Sequence, residues 1–339
     1  MEHFEHGGNY PDGILDFSVN INPLGMPESV KKVLAENIGK FAEYPDPYCT
    51  ELTRKLSGRE KVPVTDIVCG NGAADLIYRL VYALKPHRAL LTAPTFSEYE
   101  KALLEVDCRI KFHILRETEN FCITESILND LHDVDIFFLC DPNNPTGALI
   151  SPELMKKIAD RCAEENILLV IDRCFMGFTG KNGDDTAFLN ENTVILKAFT
   201  KLYAMAGLRL GYMIFGSARL AEKVRGTGQY WSVSVPAQLA GIAALQAADH
   251  VEKSVSLIKK ERGYLCRELE RPEIKIYPSE TNYLLFHCPR SIDKLLLEKN
   301  IAVRCCGNYY GLNANYFRIA VKNHRDNKRL VNAVNEILG

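Results

Sequence analysis

From Asp66 to Phe215 the chain alternates short apolar runs with amphipathic stretches of helical period, and this restricts the fold more than any other feature. Such an alternation predicts successive βα units, hence an α/β domain with a mostly parallel sheet sandwiched between helices. Strands are expected at Asp66–Gly70, Arg88–Ala93, Arg109–Leu115, Asp135–Cys140, Ile167–Asp172, Thr193–Ala198 and Leu208–Phe215. The helices between them include Ala73–Leu84 and Pro152–Glu165, the latter with Ser151 as N-cap and proline in its first turn. In open sheets of this kind ligands gather at the carboxyl ends of the strands.

The flanking segments read differently. Residues 1–26 are rich in Gly, Asn and Pro with one apolar alternation at Ile14 to Phe17, which describes an ordered arm or a solvated tail. Pro27 opens a helix through Val30, Val33 and Leu34, and the turn Tyr44-Pro45-Asp46-Pro47-Tyr48 precedes a helix carrying Leu52 and Leu56. Val235 to Leu269 reads as one long helix or two in sequence. A smaller α/β unit follows, with strands at Thr281–His287, Ile301–Cys305 and Tyr316–Val321 and helices at Ser291–Lys299 and Asp326–Leu338. The expected division is a large domain, 27–240, and a small domain built from the arm 1–26 and residues 241–339; a length of 339 residues accommodates both.

Composition excludes several classes. A hydrophobic fraction of 47% with 25% charged residues is that of an ordinary soluble enzyme, and a net charge of −2 without basic clusters gives no reason to expect nucleic acid or an anionic membrane as partner. No apolar run approaches the ~18 residues of a membrane span, and the start MEHFEHGGNYPDG lacks the pattern of a signal peptide, so a cytoplasmic location is expected. The eleven cysteines include no CxxC pair, which argues for reduced thiols and for neither a disulfide framework nor a metal site.

The stretch Lys197 to Tyr212, KAFTKLYAMAGLRLGY, carries chemistry. A lysine that bonds an aldehyde must lose its proton, and the apolar company of Lys201 (Phe199, Leu202, Tyr203, Met205) lowers its pKa as burial does. Arg209, eight residues on, can hold a phosphate through charge-assisted hydrogen bonds. Aldehyde and phosphate together describe pyridoxal 5′-phosphate. Taken alone, the stretch reads equally as a loop lysine and a surface arginine. Other positions add weight. Cys69-Gly70-Asn71-Gly72-Ala73-Ala74 follows a strand and opens a helix, a suitable phosphate seat or a plain βα turn. Phe96 can stack on an aromatic ring or fill the core. The motif Asn143-Asn144-Pro145-Thr146-Gly147 offers an amide to a ring oxygen. Asp172 ends an apolar strand where an unpaired carboxylate is costly, so it needs a cationic partner such as a protonated pyridine nitrogen, or else caps a turn.

In order and spacing these residues resemble the fold type I pyridoxal phosphate enzymes of the class I/II aminotransferase family. Within it the chain is most similar to the threonine-phosphate decarboxylases of cobalamin biosynthesis. That likeness rests on HGGN at His6 to Asn9, LDFSVNINPLG at Leu15 to Gly25, YPDPY, FLCDPNNPTG, FTKLYAMAGLRLGY, WSV at Trp231 to Val233, TNYLLF and NYYGLNANYFRIAV at Asn308 to Val321. Histidinol-phosphate aminotransferases share the same frame. The resemblance implies that Lys201 bears the cofactor and moves a proton, Asp172 pairs the ring nitrogen, Asn144 bonds the ring hydroxyl and Phe96 stacks on the ring. It puts the cofactor phosphate on the N–H groups of Gly72, Ala73 and Ala74 with Thr200, Arg209 and, from the second subunit of a homodimer with shared sites, Tyr44. Arg304 and Arg318 would hold the anionic ends of a phosphorylated amino acid, with His6, Asn9 and Asn22 helping to orient it.

Three positions depart from or refine the family pattern. Phe175 stands where many aminotransferases have a tyrosine, which favours decarboxylation over transamination. Ala198 replaces a Ser or Thr that contacts the cofactor phosphate; one neutral hydrogen bond is worth about 0.5–1.5 kcal/mol, so binding survives its loss. Arg173 replaces a Glu and, as the strand neighbour of Asp172, should face away from the ring. Three functions compete: decarboxylation of an O-phospho amino acid, transamination of the histidinol-phosphate type, and cofactor binding without turnover.

Overall fold

The βα alternation closes into one seven-stranded sheet. The computed structural model describes residues 7–181 and 185–339. In chain order, β1 (Leu15–Asp16), α1 (Glu28–Glu36) and α2 (Thr50–Glu60) lead into β2 (Ile67–Gly70), α3 (Ala73–Leu84), β3 (Arg88–Ala93), α4 (Glu98–Leu104) and β4 (Arg109–Ile114). Next come β5 (Ile136–Cys140), α5 (Pro152–Glu164), β6 (Leu168–Asp172), β7 (Thr193–Ala198), β8 (Gly211–Phe215) and α6 (Ala218–Arg225). The chain ends with α7 (Val235–Ala244), α8 (Ala248–Leu269), β9 (Lys275–Ile276), β10 (Tyr283–His287), α9 (Ile292–Glu298), β11 (Ile301–Ala302), β12 (Arg304–Cys305), β13 (Tyr316–Ala320) and α10 (His324–Leu338).

The large sheet runs β2-β8-β7-β6-β5-β3-β4, with β8 antiparallel to both neighbours and every other pairing parallel. Its central strands are apolar on both faces because both are covered. Alternate residues divide between the layers: Phe138, Val170 and Leu196 pack with Leu76 and Leu80 of α3 and Tyr99 of α4, whereas Phe137, Leu139 and Ile171 pack with Ile158 and Cys162 of α5. Ser151 caps α5 by accepting the Leu154 N–H at 3.2 Å.

A second, antiparallel sheet runs β12-β13-β10-β9, and its core is continuous with residues of α8, α9 and α10. The arm joins it through β1, which pairs parallel with β11. Of the two readings of Val235–Leu269, the structure has two helices, α7 and α8, and two expected strands change by more than a residue or two. The strand expected over Ile301–Cys305 is interrupted at Val303, so β11 pairs with the arm and β12 with β13. The last strand of the large sheet starts at Gly211 because Arg209 adopts φ 57°, a left-handed backbone no strand contains. Among the described residues, no helix is long and apolar enough to cross a membrane, and no cluster of His, Cys, Asp or Glu could hold a metal ion.

Candidate active site

The carboxyl ends of β5, β6 and β7 meet the start of α3, the arm and the small sheet around a cavity of about 390 Å³. Asp172 and Lys201 both line it. Asp172 is buried; its Oδ2 accepts the Tyr99 hydroxyl at 2.5 Å and its Oδ1 the Cys174 N–H at 2.9 Å. Burial raises the Asp172 pKa while these donors oppose the rise, so the carboxylate sits where a cation would be strongly favoured. Tyr99 is fully buried, stacked on Phe138 at 5.1 Å and edge-on to Phe96 at 5.6 Å, and burial with the Asp172 charge pushes its hydroxyl well above the ordinary value. Sequence reasoning missed Tyr99. The available signal was its place three residues after Phe96, beside a carboxylate that needed a donor.

Lys201 is lowered to about 8, first by burial and next by the Arg318 charge, with Arg209 adding to the effect and Cys174 opposing it. Its amine is therefore about half neutral near that pH, as reaction with an aldehyde requires.

Gly72 is the N-cap of α3 with φ 88°, and a Cβ there would lie 2.6 Å from Arg209 Nη2. A Cβ on Gly211 would lie 2.8 Å from the Ala73 nitrogen. Two glycines thus let an arginine and a strand close on the first turn of α3, whose N–H groups have no partner within the helix. The sequence assignment needs one correction: the Gly72 N–H donates to Gly70 O at 2.8 Å, which leaves Ala73 and Ala74, both lining the cavity, as the candidates for holding a phosphate. Thr200, Phe96 and Ala198 also line it.

On the opposite wall, the β12–β13 register sets Arg304 directly opposite Arg318, so both side chains leave the same face of the small sheet. Arg318 is buried and donates to Asn144 Oδ1 and to Ser18 O, the latter at 2.7 Å, while its Nε has no hydrogen-bond partner among the described residues. Arg304 donates to Asn308 Oδ1 at 2.7 Å and lies over the Tyr309 ring at 5.5 Å. Two strand arginines that by themselves would be read as surface residues thus face one cavity. Both guanidiniums can there offer charge-assisted hydrogen bonds to an anionic ligand.

Other expected residues lie elsewhere. Asn22 is corrected outright: it does not line the cavity but is buried against the lysine loop and α8, donating to Leu202 O at 2.6 Å and Ser254 Oγ at 2.7 Å. Its neighbour Asn20 lines the cavity instead, with Gly7 and Ser18. Asn9 is exposed and outside the lining, and His6 lies outside the described residues. Tyr44 is 80% exposed, away from the cavity of its own chain, with its ring 4.6 Å from that of Trp231. Phe175 lines the cavity edge-on to Tyr283 at 4.9 Å. Arg173 turns from the cavity, as strand alternation predicts, and pairs with Asp141 and Asp185. Val19, Glu98, Cys140, Cys174 and Tyr309 also line the cavity and were not foreseen.

The donor set suits pyridoxal phosphate. A buried carboxylate can keep a ring nitrogen protonated, and the amide nitrogen of Asn144 remains free to donate once Oδ1 has taken Arg318. The glycine-lined turn with Arg209 suits a phosphate, and Lys201 suits the aldehyde.

Comparison with known proteins agrees. The family model "Aminotransferase class I and II" matches residues 12–334. The chain is 37% identical to the threonine-phosphate decarboxylase of Salmonella typhimurium, with 98% of this chain and 96% of that protein covered. It is 29% identical to a histidinol-phosphate aminotransferase of Methanococcus aeolicus, covering 97% and 91%. Among solved structures, the histidinol-phosphate aminotransferase of Clostridium acetobutylicum superposes with a TM-score of 0.89 at 30% identity, over 96% of this chain and 99% of that one. A match running almost from end to end, in sequence and in backbone, makes this chain a member of the class I and II aminotransferase family and so a pyridoxal phosphate-dependent enzyme.

Proposed function

We propose that the chain decarboxylates an O-phosphorylated amino acid such as threonine phosphate, giving an aminoalkyl phosphate and carbon dioxide. The observation that carries this reading is the pair Arg304 and Arg318, face to face beside Lys201, with the buried Nε of Arg318 lacking a hydrogen-bond partner among the described residues. Two cations on one wall suit a substrate with two anionic ends. Similarity to threonine-phosphate decarboxylase along the whole chain supports the choice of reaction.

Pyridoxal phosphate, when bound, supplies an electron sink for the pair released as a bond to the substrate α-carbon breaks. The residues of the chain do the rest. Asp172, held by Tyr99 and the Cys174 N–H, keeps the ring nitrogen protonated; Asn144 donates to the ring oxygen; Phe96 covers the ring. Ala73, Ala74, Thr200 and Arg209 hold the phosphate, joined by Tyr44 from the partner subunit of a homodimer. Arg304 and Arg318 fix the two anionic ends, and so decide which bond at the α-carbon is aligned to break. Lys201, with its pKa lowered to about 8, would take the proton that the incoming substrate ammonium loses and would donate it to the α-carbon in place of the departed carboxylate. We also divide the chain into 27–240 and, as a second unit, the arm with 241–339, a division supported by the β1–β11 pairing.

The test is to supply O-phospho-L-threonine to the cofactor-loaded protein without any 2-oxo acid, and to assay carbon dioxide and the phosphorylated amine. Sustained turnover supports the proposal. The second reading, an aminotransferase of the histidinol-phosphate type, draws on the Methanococcus and Clostridium relatives. It replaces the first if turnover appears only with histidinol phosphate and 2-oxoglutarate together.

A further inference from the structure

The arm forms a short, fully tied connection between Arg318 and Lys201. At its start Phe17 N–H donates to Ala302 O at 2.7 Å and Phe17 O accepts the Ala320 N–H at 2.9 Å, so the segment is fixed to β11 and β13. Arg318 donates to the next carbonyl, Ser18 O, at 2.7 Å, and Asn282 Nδ2 to Asn20 O at 3.0 Å. Two residues further on stands Asn22, 2% exposed. Its N–H donates to the carbonyl of Lys201 itself at 3.2 Å and its own carbonyl accepts the Gly25 N–H at 3.0 Å. Its amide donates to Leu202 O at 2.6 Å and to Ser254 Oγ of α8 at 2.7 Å, with His250 Nε2 at 3.3 Å, and its Oδ1 accepts the Leu24 N–H at 3.0 Å.

Every polar group of this buried residue is engaged, and two of its bonds grip the backbone on which the lysine is mounted. From Ser18 to Asn22 the chain spans at most about 14 Å when extended. A segment this short, bonded at both ends, passes on a displacement instead of absorbing it.

We propose that Asn22 is a positioning residue that couples occupation of Arg318 by an anion to the setting of Lys201. Asn22 touches neither group's reactive atoms; it acts through the Lys201 and Leu202 carbonyls. The competing role is that of a purely structural asparagine, which tethers the arm to α8 and is indifferent to what Arg318 holds. The inference rests on Lys201 as the cofactor-bearing lysine and Arg318 as an anion-holding residue, as assigned above.

The test uses cofactor-loaded, full-length protein and inorganic phosphate as a non-reacting anion. Visible circular dichroism of the bound cofactor reports how it is held at Lys201, and the half-saturating phosphate concentration reports Arg318. In the wild type, phosphate changes the visible band. In Asn22→Ala, which keeps the main-chain bond to Lys201 O but loses the side-chain bonds to Leu202 O and Ser254 Oγ, half-saturation stays within about twofold while a large part of the band change is lost, the signature of uncoupling rather than of lost binding. With substrate, Asn22→Ala lowers kcat about tenfold with KM within about twofold, and adding it to Arg318→Gln costs little more, because the coupling is already broken. No phosphate response in the wild type, an equal response in Asn22→Ala, or multiplying effects in the double variant would overturn the proposal. Should Asn22→Ala not fold, Ser254→Ala removes one acceptor and should lose part of the response; an unchanged response overturns the proposal equally. Lys201→Ala separates the two levels. If it keeps the wild-type visible band, the assignment of Lys201 falls and this inference with it; if it loses the band while Asn22→Ala behaves as wild type, only the coupling falls.

Discussion

Replacing Arg173 with leucine is expected to destabilise the protein by about 3–5 kcal/mol, the cost of stranding a buried charge. The Arg173 and Asp141 side chains are 5% and 1% exposed and pair directly, and Arg173 Nε stands 3.2 Å from Asp185 Oδ1. Lys197 continues the chain of charges, 2.9 Å from Asp185 and 2.6 Å from Glu60. In Arg173→Leu, Asp185 keeps Lys197 as its counter-ion, whereas Asp141 keeps the Ile150 N–H at 2.9 Å and no cation among the described residues. Burial already pushes the Asp141 carboxyl up to about 6 against the pull of Arg173, and without the guanidinium it moves higher. The folded protein then holds a proton that the unfolded chain releases near pH ~4. Stability from this group is therefore present below that pH and lost as the pH rises through the raised folded value, so the deficit widens toward neutrality. The assay is urea denaturation at pH 5 and pH 7.5, followed by far-ultraviolet circular dichroism at one protein concentration. Combining Arg173→Leu with Asp141→Asn removes both charges and should recover at least about 2 kcal/mol, since replacing a buried pair costs less than breaking it. A single variant within about 1 kcal/mol of wild type at pH 7.5, or a double variant no more stable than the single, would refute the reasoning.

Three further outcomes follow from the site. Tyr99→Phe removes the hydroxyl 2.5 Å from Asp172 and should lower kcat about tenfold with the cofactor retained; unchanged kcat at saturating substrate would count against Asp172 as the ring's partner. Gly72→Ala puts a methyl group 2.6 Å from Arg209 Nη2 on a backbone at φ 88°, so cofactor Kd should rise about tenfold or more, read by titrating apoprotein. Arg318→Gln removes the second cause that depresses Lys201, so the lysine pKa should rise above about 8. Less of its amine is then neutral at pH 7–8, and capture of pyridoxal phosphate by apoprotein should slow there, with the inflection of rate against pH moving upward; an unmoved inflection would contradict the charge effect.

Regular elements were legible where local chemistry punctuates them. β3, β7 and α3 start and stop at the residues expected, and α5 takes the Ser151 cap with proline in its first turn. Boundaries failed where a single residue's backbone was set by distant packing: the left-handed Arg209 delays β8, and the break at Val303 hands one half of a strand to the arm and the other to β13. Within the site, Lys201, Asp172, Asn144 and Arg209 were legible because each motif carries its own chemistry. Asn22 was not. Its sequence neighbourhood resembles Asn20's, and only the fold shows that one faces the cavity and the other the lysine loop.

The sequence by itself determined the periodicities, hence two kinds of sheet and the order of their helices, together with the identity of groups able to bind an aldehyde and a phosphate. Those properties are local: side-chain alternation, capping and turn chemistry act over a few residues. The tertiary structure alone decided partnership. It brought Tyr99 to Asp172 across 73 positions and Arg318 to Asn144 across 174, and set Arg304 opposite Arg318. It also turned Arg173 into a buried chain of charges and tied Asn22 to the carbonyl of Lys201. Contacts between residues so far apart in sequence exist only once helices and sheets have packed, because burial, which fixes both their geometry and their strength, is a property of the packed whole.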